Sequence, residues 1–161
     1  MKGGYYNKKP EHSTEGAIPF LAATENNNGV TECYSIDDIK SWNKVGMPDC
    51  TTNNKLFDAP AIAVTVDGSV CNAYYQATKF TCSHSVSSLQ PRDGHILSPR
   101  EGLFCCTVIR NEKYRWSYGR KPHDVAKLSA MKIKLPITPS GDPDWNFMEN
   151  YIKSIPYGDK I

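Results

Sequence analysis

At 161 residues the chain is long enough for one domain with a proper core, and its nine Tyr, five Phe and three Trp supply the bulk to fill it. That excludes intrinsic disorder despite a mean hydropathy of −0.52. The net charge of +2 decides nothing by itself, and no apolar run approaches the roughly 18 residues of a membrane span, so no membrane partner is expected.

Met1 to Tyr5 lacks the apolar centre of a signal peptide, so the expected compartment is the cytoplasm. The six cysteines (33, 50, 71, 82, 105 and 106) contain no CxxC, and reduced thiols used as small apolar residues are expected rather than a disulfide framework or a zinc site. Cys82-Ser83-His84 is the best local ligand pair, without evident further ligands. Neither metal nor cofactor is expected.

Ile18 to Ala23 reads as a short buried strand, ended by Asn26-Asn27-Asn28-Gly29, where Asn28-Gly29 suits positive φ. Ser35 followed by Asp38 resembles a capping pair and predicts a helix over 36–45. Residues 49–55, "DCTTNNK", read as a loop. In "AIAVTVDGSVCNAYYQ" two β-branched runs flank Asp67-Gly68, which predicts a hairpin closed by a tight type I′ turn. "KFTCSHSVSSLQP" and "GHILSP" read as further short strands. Leu103, Cys106 and Ile109 or Arg110 recur at helical spacing, which predicts a helix over 100–111. A second short helix is expected within 121–130. Met131, Ile133 and Leu135 alternate with Lys132 and Lys134, the pattern of a half-buried strand ending at Pro136. Finally, Asp142 as cap, Pro143 at the first helical position and Asp144 in the first turn open a helix whose apolar face is Trp145, Met148, Ile152 and Ile155, and which Pro156 ends. The sum is an α+β fold, strand-rich first and helical towards the end.

Charge is unevenly spread. Residues 107–134 hold eight bases (Arg110, Lys113, Arg115, Arg120, Lys121, Lys127, Lys132, Lys134) against Glu112 and Asp124, a surplus of six. Such a segment suits a polyanion, although charges on a helix and strand also simply face water. Amides, bases and aromatics mix in several stretches: "YYNKKPEH", "TENNNG", "TTNNK", "YYQATK" and "RWSYGRKPH". Asn and Gln read adenine, Arg reads guanine, and Lys and Arg neutralise phosphates. No GxGxxG, Walker A, HExxH or GxSxG is present, and the four histidines (12, 84, 95, 123) are scattered.

Taken in order, "GAIPFLAATENNNGV", "VTVDGSVCNAYYQATKF", "GLFCCTVIRNEKYRWSYGRK" and "KIKLP" resemble the target recognition domain of restriction–modification specificity subunits. The likeness is to the type I specificity-subunit family, especially relatives fused to or paired with type IIB and type IIG enzymes. The closing "LPITPSGDPDWNFMENYIKSIPYGDKI" is similar to the tail often seen in those relatives, where a strand ending in Leu-Pro leads to an Asp-Trp helix. The resemblance implies a mixed fold with a curved, strand-rich portion and a smaller helical portion. It implies a non-catalytic module that reads one half of a bipartite double-stranded DNA target and positions a methyltransferase, often with an endonuclease. Two such domains normally sit inverted, joined by long helical spacers. Here residues 1–161 hold one recognition domain and no long heptad-bearing helix, so the expectation is a domain belonging to a longer specificity subunit or fused enzyme.

On this reading Arg115, Tyr118, Arg120 and Lys121 are the foremost candidates for DNA contact. Lys8 and Lys9 are candidates for phosphates, and Asn26 and Asn27 for approach to the duplex. Asn53, Asn54 and Lys55 form either a base-reading loop or only a loop. Tyr75 and Gln76 follow the hairpin, where alternation sends at least one of Tyr74 and Tyr75 into the core. The competing readings are a module that binds a methyltransferase without reading DNA, and a small enzyme with a thiol nucleophile.

Overall fold

The structure, a computed structural model, describes every residue except 13, 14, 117–119 and 123. Nine short strands are described, β1 (Tyr6–Asn7), β2 (Ile18–Leu21), β3 (Val30–Tyr34), β4 (Asn43–Lys44), β5 (Leu56–Phe57), β6 (Ala61–Thr65), β7 (Ala73–Gln76), β8 (Phe80–Cys82) and β9 (Val86–Leu89). The helices are α1 (Ile36–Ser41), α2 (Pro99–Asn111), α3 (Val125–Ala130) and α4 (Trp145–Ser154). The strands make a four-stranded sheet in the order β3-β2-β8-β5, a three-stranded sheet β7-β6-β9, and a β1-β4 pair. Every pairing among these strands is antiparallel except β2 with β8.

Strand alternation explains how these parts stack. β6 is buried at all five positions. Ile62 and Val64 point to one core, with Cys105, Cys106, Ile109, Trp116 and Met148. Ala61 and Ala63 point to the opposite side and meet Leu21, Phe57 and Phe80. The next layer repeats the device, for Leu21 of β2 faces that second core while Phe20 enters a third with Tyr34, Ile39 and Trp42. The order is therefore helices, three-stranded sheet, four-stranded sheet, aromatic cluster. Side chains of period two on both strands let three cores share two sheets.

Local chemistry sets the helix ends. Ser35 Oγ accepts from Asp38 N (3.1 Å) while Asp38 Oδ2 accepts from Ser35 N (3.0 Å), the reciprocal box that the sequence suggests. The helix stops at Ser41, short of residue 45, because Trp42 turns into extended backbone to bury its ring. In α2 the inward face is Gly102, Cys105, Cys106 and Ile109, at helical spacing, and Leu103 lies outward. Gly102 decides this: a Cβ there would sit 2.1 Å from Cδ2 of Tyr75, so only glycine lets α2 lie against β7.

Four expectations are corrected. The β6–β7 hairpin forms, with Val64 opposite Ala73, but residues 66–72 connect it, and of Asp67-Gly68 only Gly68 has positive φ (69°). The turn is thus a longer loop, held by Cys71 N to Thr65 O (2.8 Å) and Thr65 N to Asn72 O (2.9 Å), rather than type I′. "GHILSP" is not a strand: Asp93 Oδ1 accepts from His95 N (3.0 Å) in a turn, and Ser98 then caps α2. Residues 131–135 do alternate, with Met131, Ile133 and Leu135 packed on the helical-side core, yet among the described residues no strand pairs with them. The cap of α4 is Asp144, whose Oδ1 accepts from Phe147 N (2.9 Å), instead of Asp142.

Candidate nucleic-acid interface

The asparagine turn closes the β2–β3 hairpin. Asn27, Asn28 and Gly29 take positive φ in succession (47°, 53° and 83°), and Ala22 N donates to Gly29 O at 3.0 Å. Asparagine and glycine tolerate this region because a short amide or no Cβ avoids the clash that bulkier residues meet. The Asn28-Gly29 pair therefore behaves as its sequence suggests. Gly29 also sits under Tyr74, where a Cβ would stand 2.9 Å from Cδ2.

The three amides have different fates. Asn27 Nδ2 donates to Val30 O (3.0 Å) and Asn28 Nδ2 to Tyr75 O (3.2 Å). Asn26 is exposed, and its side-chain amide makes no hydrogen bond among the described residues. It is the amide left over for an outside partner.

Long-range contacts bring the basic segment to this turn. Tyr74 Oη donates to Thr24 O (2.8 Å), and Arg110 lies over the Tyr74 ring at 4.9 Å while its Nε donates to Ala73 O (2.9 Å). Lys113 Nζ meets Glu25 Oε1 at 3.2 Å. Lys121 Nζ meets Asp67 Oδ1 at 3.1 Å in the hairpin loop. Arg115 pairs with Glu112 (2.6 Å) and donates to Lys132 O (3.3 Å). Arg120 is exposed and makes no ion pair among the described residues. Tyr118 lies outside the described residues. These contacts thus tie together four stretches of chain, residues 22–29, 66–76, 110–116 and 120–121, whose exposed side chains share one side while Val66, Cys71, Ala73 and Trp116 are buried beneath.

The carboxylates here are held ionised. The hydrogen bond and charge of Lys113 keep Glu25 below the ordinary carboxylate range, and the Gly68 N–H, then Lys121, do the same for Asp67. The Glu112 carboxylate holds the Arg115 proton more tightly still. The surface therefore carries fixed charges of both signs beside free amide and guanidinium donors. Such groups hydrogen-bond base edges and phosphates.

Of the other candidates, Lys8, Lys9, Asn53, Asn54 and Lys55 lie elsewhere. Lys9 sits at the open end of the β2–β3 hairpin, opposite the asparagine turn. Its Nζ donates to Tyr34 Oη (2.6 Å) and Pro10 O (3.1 Å) and stands over the Phe20 and Tyr34 rings at 4.8 and 4.7 Å. Lys8 is exposed beside it. Asn53 is exposed, while Asn54 Oδ1 accepts from Thr51 N (3.0 Å) and Thr51 Oγ1 (2.8 Å) in a local capping box. Lys55 is fully buried, its Nζ donating to Trp42 O (2.6 Å) and Lys40 O (3.1 Å). That corrects the reading of Lys55 as a DNA-facing side chain. Gln76 is also turned inward, 5% exposed with Nε2 near Asn28 O (3.3 Å). Tyr75 is half-buried against α2 and its Oη donates to Leu97 O (3.3 Å). Tyr74 is the more buried of the two, 6% exposed and packed on Gly29.

Sequence reasoning missed Glu25 and Asp67, because acids are not sought in a polyanion site. Their signal was position: each stands within a turn that the chain brings to the basic segment.

Four of the thiols are held protonated by burial. Burial pushes Cys71 and Cys105 up to about 11 and Cys82 and Cys106 up to about 12, which suppresses the nucleophilic thiolate. None of the six cysteines is in a disulfide. Two histidines serve as packing plates, His84 on Tyr5 (3.7 Å between ring centroids) and His95 on Trp145 (4.4 Å) with its Nε2 on Glu101 (2.8 Å). Among the described residues no three His, Cys, Asp or Glu side chains gather as a metal site, and no helix is long and apolar enough to cross a membrane.

The domain is α+β, with an amide turn joined to a basic segment. The family comparison makes this specific. The family model described as "Type I restriction modification DNA specificity domain" matches residues 1–157, and the chain belongs to that family. It is similar to the "Type II restriction enzyme BgcI specificity subunit S.BcgI" of Heyndrickxia coagulans, 32% identical over 141 residues, which cover 85% of this chain and 35% of that subunit. The chain thus spans about a third of that relative's length. No solved structure matches it.

Proposed function

We propose that this chain is a single, non-catalytic recognition domain that reads one half of a bipartite double-stranded DNA target. The surface built from residues 22–29, 66–76, 110–116 and 120–121 faces the duplex. In the assembled system it positions a methyltransferase, and with it an endonuclease, while a second recognition domain reads the other half. The observation that supports this most is the tie between the asparagine turn and the basic segment through Glu25–Lys113 and through Tyr74, which donates to Thr24 and lies under Arg110. A base-reading amide and phosphate-binding cations then approach one duplex together. Asn26 is the side chain assigned to base edges, and Lys113, Arg115, Arg120 and Lys121 are assigned to phosphates. Tyr118, from the same basic stretch, remains assigned with them.

The test is enrichment of a randomised duplex pool by this chain at low salt, with the bound fraction sequenced. A short enriched pattern of a few base pairs is expected. With four phosphates neutralised, log affinity falls with log salt at a slope of about −3.6, and Arg120→Ala lowers the slope by about one and the affinity about five- to tenfold. Binding without enrichment, or no binding, contradicts base reading. The second outcome leaves a module that meets its methyltransferase without DNA, to be sought by co-purification.

A further inference from the structure

The basic surface is masked by its own acids. Between Lys113 and Lys121 stand four basic side chains, and three of them are paired with carboxylates: Lys113 with Glu25, Arg115 with Glu112, and Lys121 with Asp67. The Glu112 pair is a helical neighbour, three residues from Arg115. The other two are different. Glu25 meets Lys113 across 88 residues and Asp67 meets Lys121 across 54, each brought in by a separate loop. Both acids are open to solvent, with side chains 59% and 45% exposed. Exposed pairs of this kind contribute little to folding. Their effect on a polyanion partner is much larger, since a carboxylate beside phosphates repels them.

We propose that Glu25 and Asp67 are specificity-determining residues that suppress binding to non-cognate DNA. The proposal rests on the DNA-reading surface proposed above. Non-specific binding is almost wholly a matter of cations on phosphates. On a random duplex Glu25 and Asp67 keep Lys113 and Lys121 occupied and add repulsion of their own. A carboxylate finds a favourable partner on DNA only at a base-edge amino group, chiefly cytosine N4 in the major groove. Glu25 adjoins Asn26, the unengaged amide, so both reach the same part of the surface. On the cognate duplex the lysines turn to phosphates while the carboxylates accept from base amino groups. On any other sequence the pairs stay closed. The acids thereby cost affinity everywhere and return it at one pattern.

The experiment compares wild type with Glu25→Gln and Asp67→Asn, the latter keeping a side-chain oxygen for the Gly68 N–H. Each is titrated at low salt against a random-sequence duplex and against the duplex enriched from the pool, with thermal melts confirming that each is folded. Removing one charge near one or two phosphates raises affinity for the random duplex about three- to tenfold. Affinity for the enriched duplex rises less or falls, so the ratio between the two narrows. An unchanged ratio in both variants overturns the proposal and leaves the acids as loop fasteners, with the DNA-reading surface intact. A wild type that binds neither duplex overturns the DNA-reading surface itself, and this proposal with it.

Discussion

Two ends of the β2–β3 hairpin carry the same residue types and use them in opposite ways. At the open end, Lys9 and Lys55 donate to carbonyls and to a tyrosine hydroxyl around Tyr34 and Trp42, and Lys55 is wholly enclosed. At the turn end, Lys113 and Lys121 stay half exposed and pair with the solvent-open carboxylates of Glu25 and Asp67. Asparagines serve both uses too, Asn54, Asn27 and Asn28 bonding within the chain while the side-chain amide of Asn26 makes no hydrogen bond among the described residues. Residue type therefore does not distinguish a fastener from a reader. What the amine touches does.

The largest blow to this contrast comes from the aromatic end. Trp42 is fully buried among Tyr6, Phe20 and Tyr34, and Trp42→Ala is expected to cost about 3–5 kcal/mol in urea unfolding. Next, Lys55→Met strips the buried Trp42 carbonyl and the part-buried Lys40 carbonyl of their donor at the end of α1 and is expected to cost about 2–3 kcal/mol. At a temperature where the variant is folded, its duplex affinity matches wild type. A loss of affinity in folded Lys55→Met would break the division between the two ends.

The turn end is expected to answer the other way. Asn26→Ala leaves the melting temperature unchanged and weakens the enriched duplex by about 1–2 kcal/mol, with the preference relaxed at one base pair. The smallest effect lies at neither end. Ser98 and Arg100 hydrogen-bond Glu149 and hold it below the ordinary carboxylate range. A depressed carboxylate contributes stability that is present above its unfolded pKa and lost as pH falls through its folded one. The gap between wild type and Glu149→Gln is therefore present at neutral pH and closes in acid. Duplex affinity is the same for both at neutral pH.

Local rules were legible in the sequence, and distant partners were not. The Ser35–Asp38 box, the positive-φ Asn28-Gly29 pair and the helix over Pro99–Asn111 depend on neighbours within a few residues. The extended stretch at Met131–Leu135 shows the limit. Its alternation does bury alternate side chains, but whether such a stretch joins a sheet depends on a neighbour that no local pattern names. Lys55 fails for the same reason, since "TTNNK" looks like a polar loop while the carbonyls that hold its amine lie 13 and 15 residues upstream. In the candidate interface the bases were visible as a run, and their acidic partners, 88 and 54 residues away, were not.

Amide hydrogen exchange with and without the enriched duplex tests the central claim most directly, because it reports both ends of the hairpin at once. The account predicts slowed exchange in residues 24–29, 66–76, 110–116 and 120–121, with residues 51–55 unchanged. Protection concentrated in residues 5–9 and 51–55, with none at the asparagine turn, would contradict it.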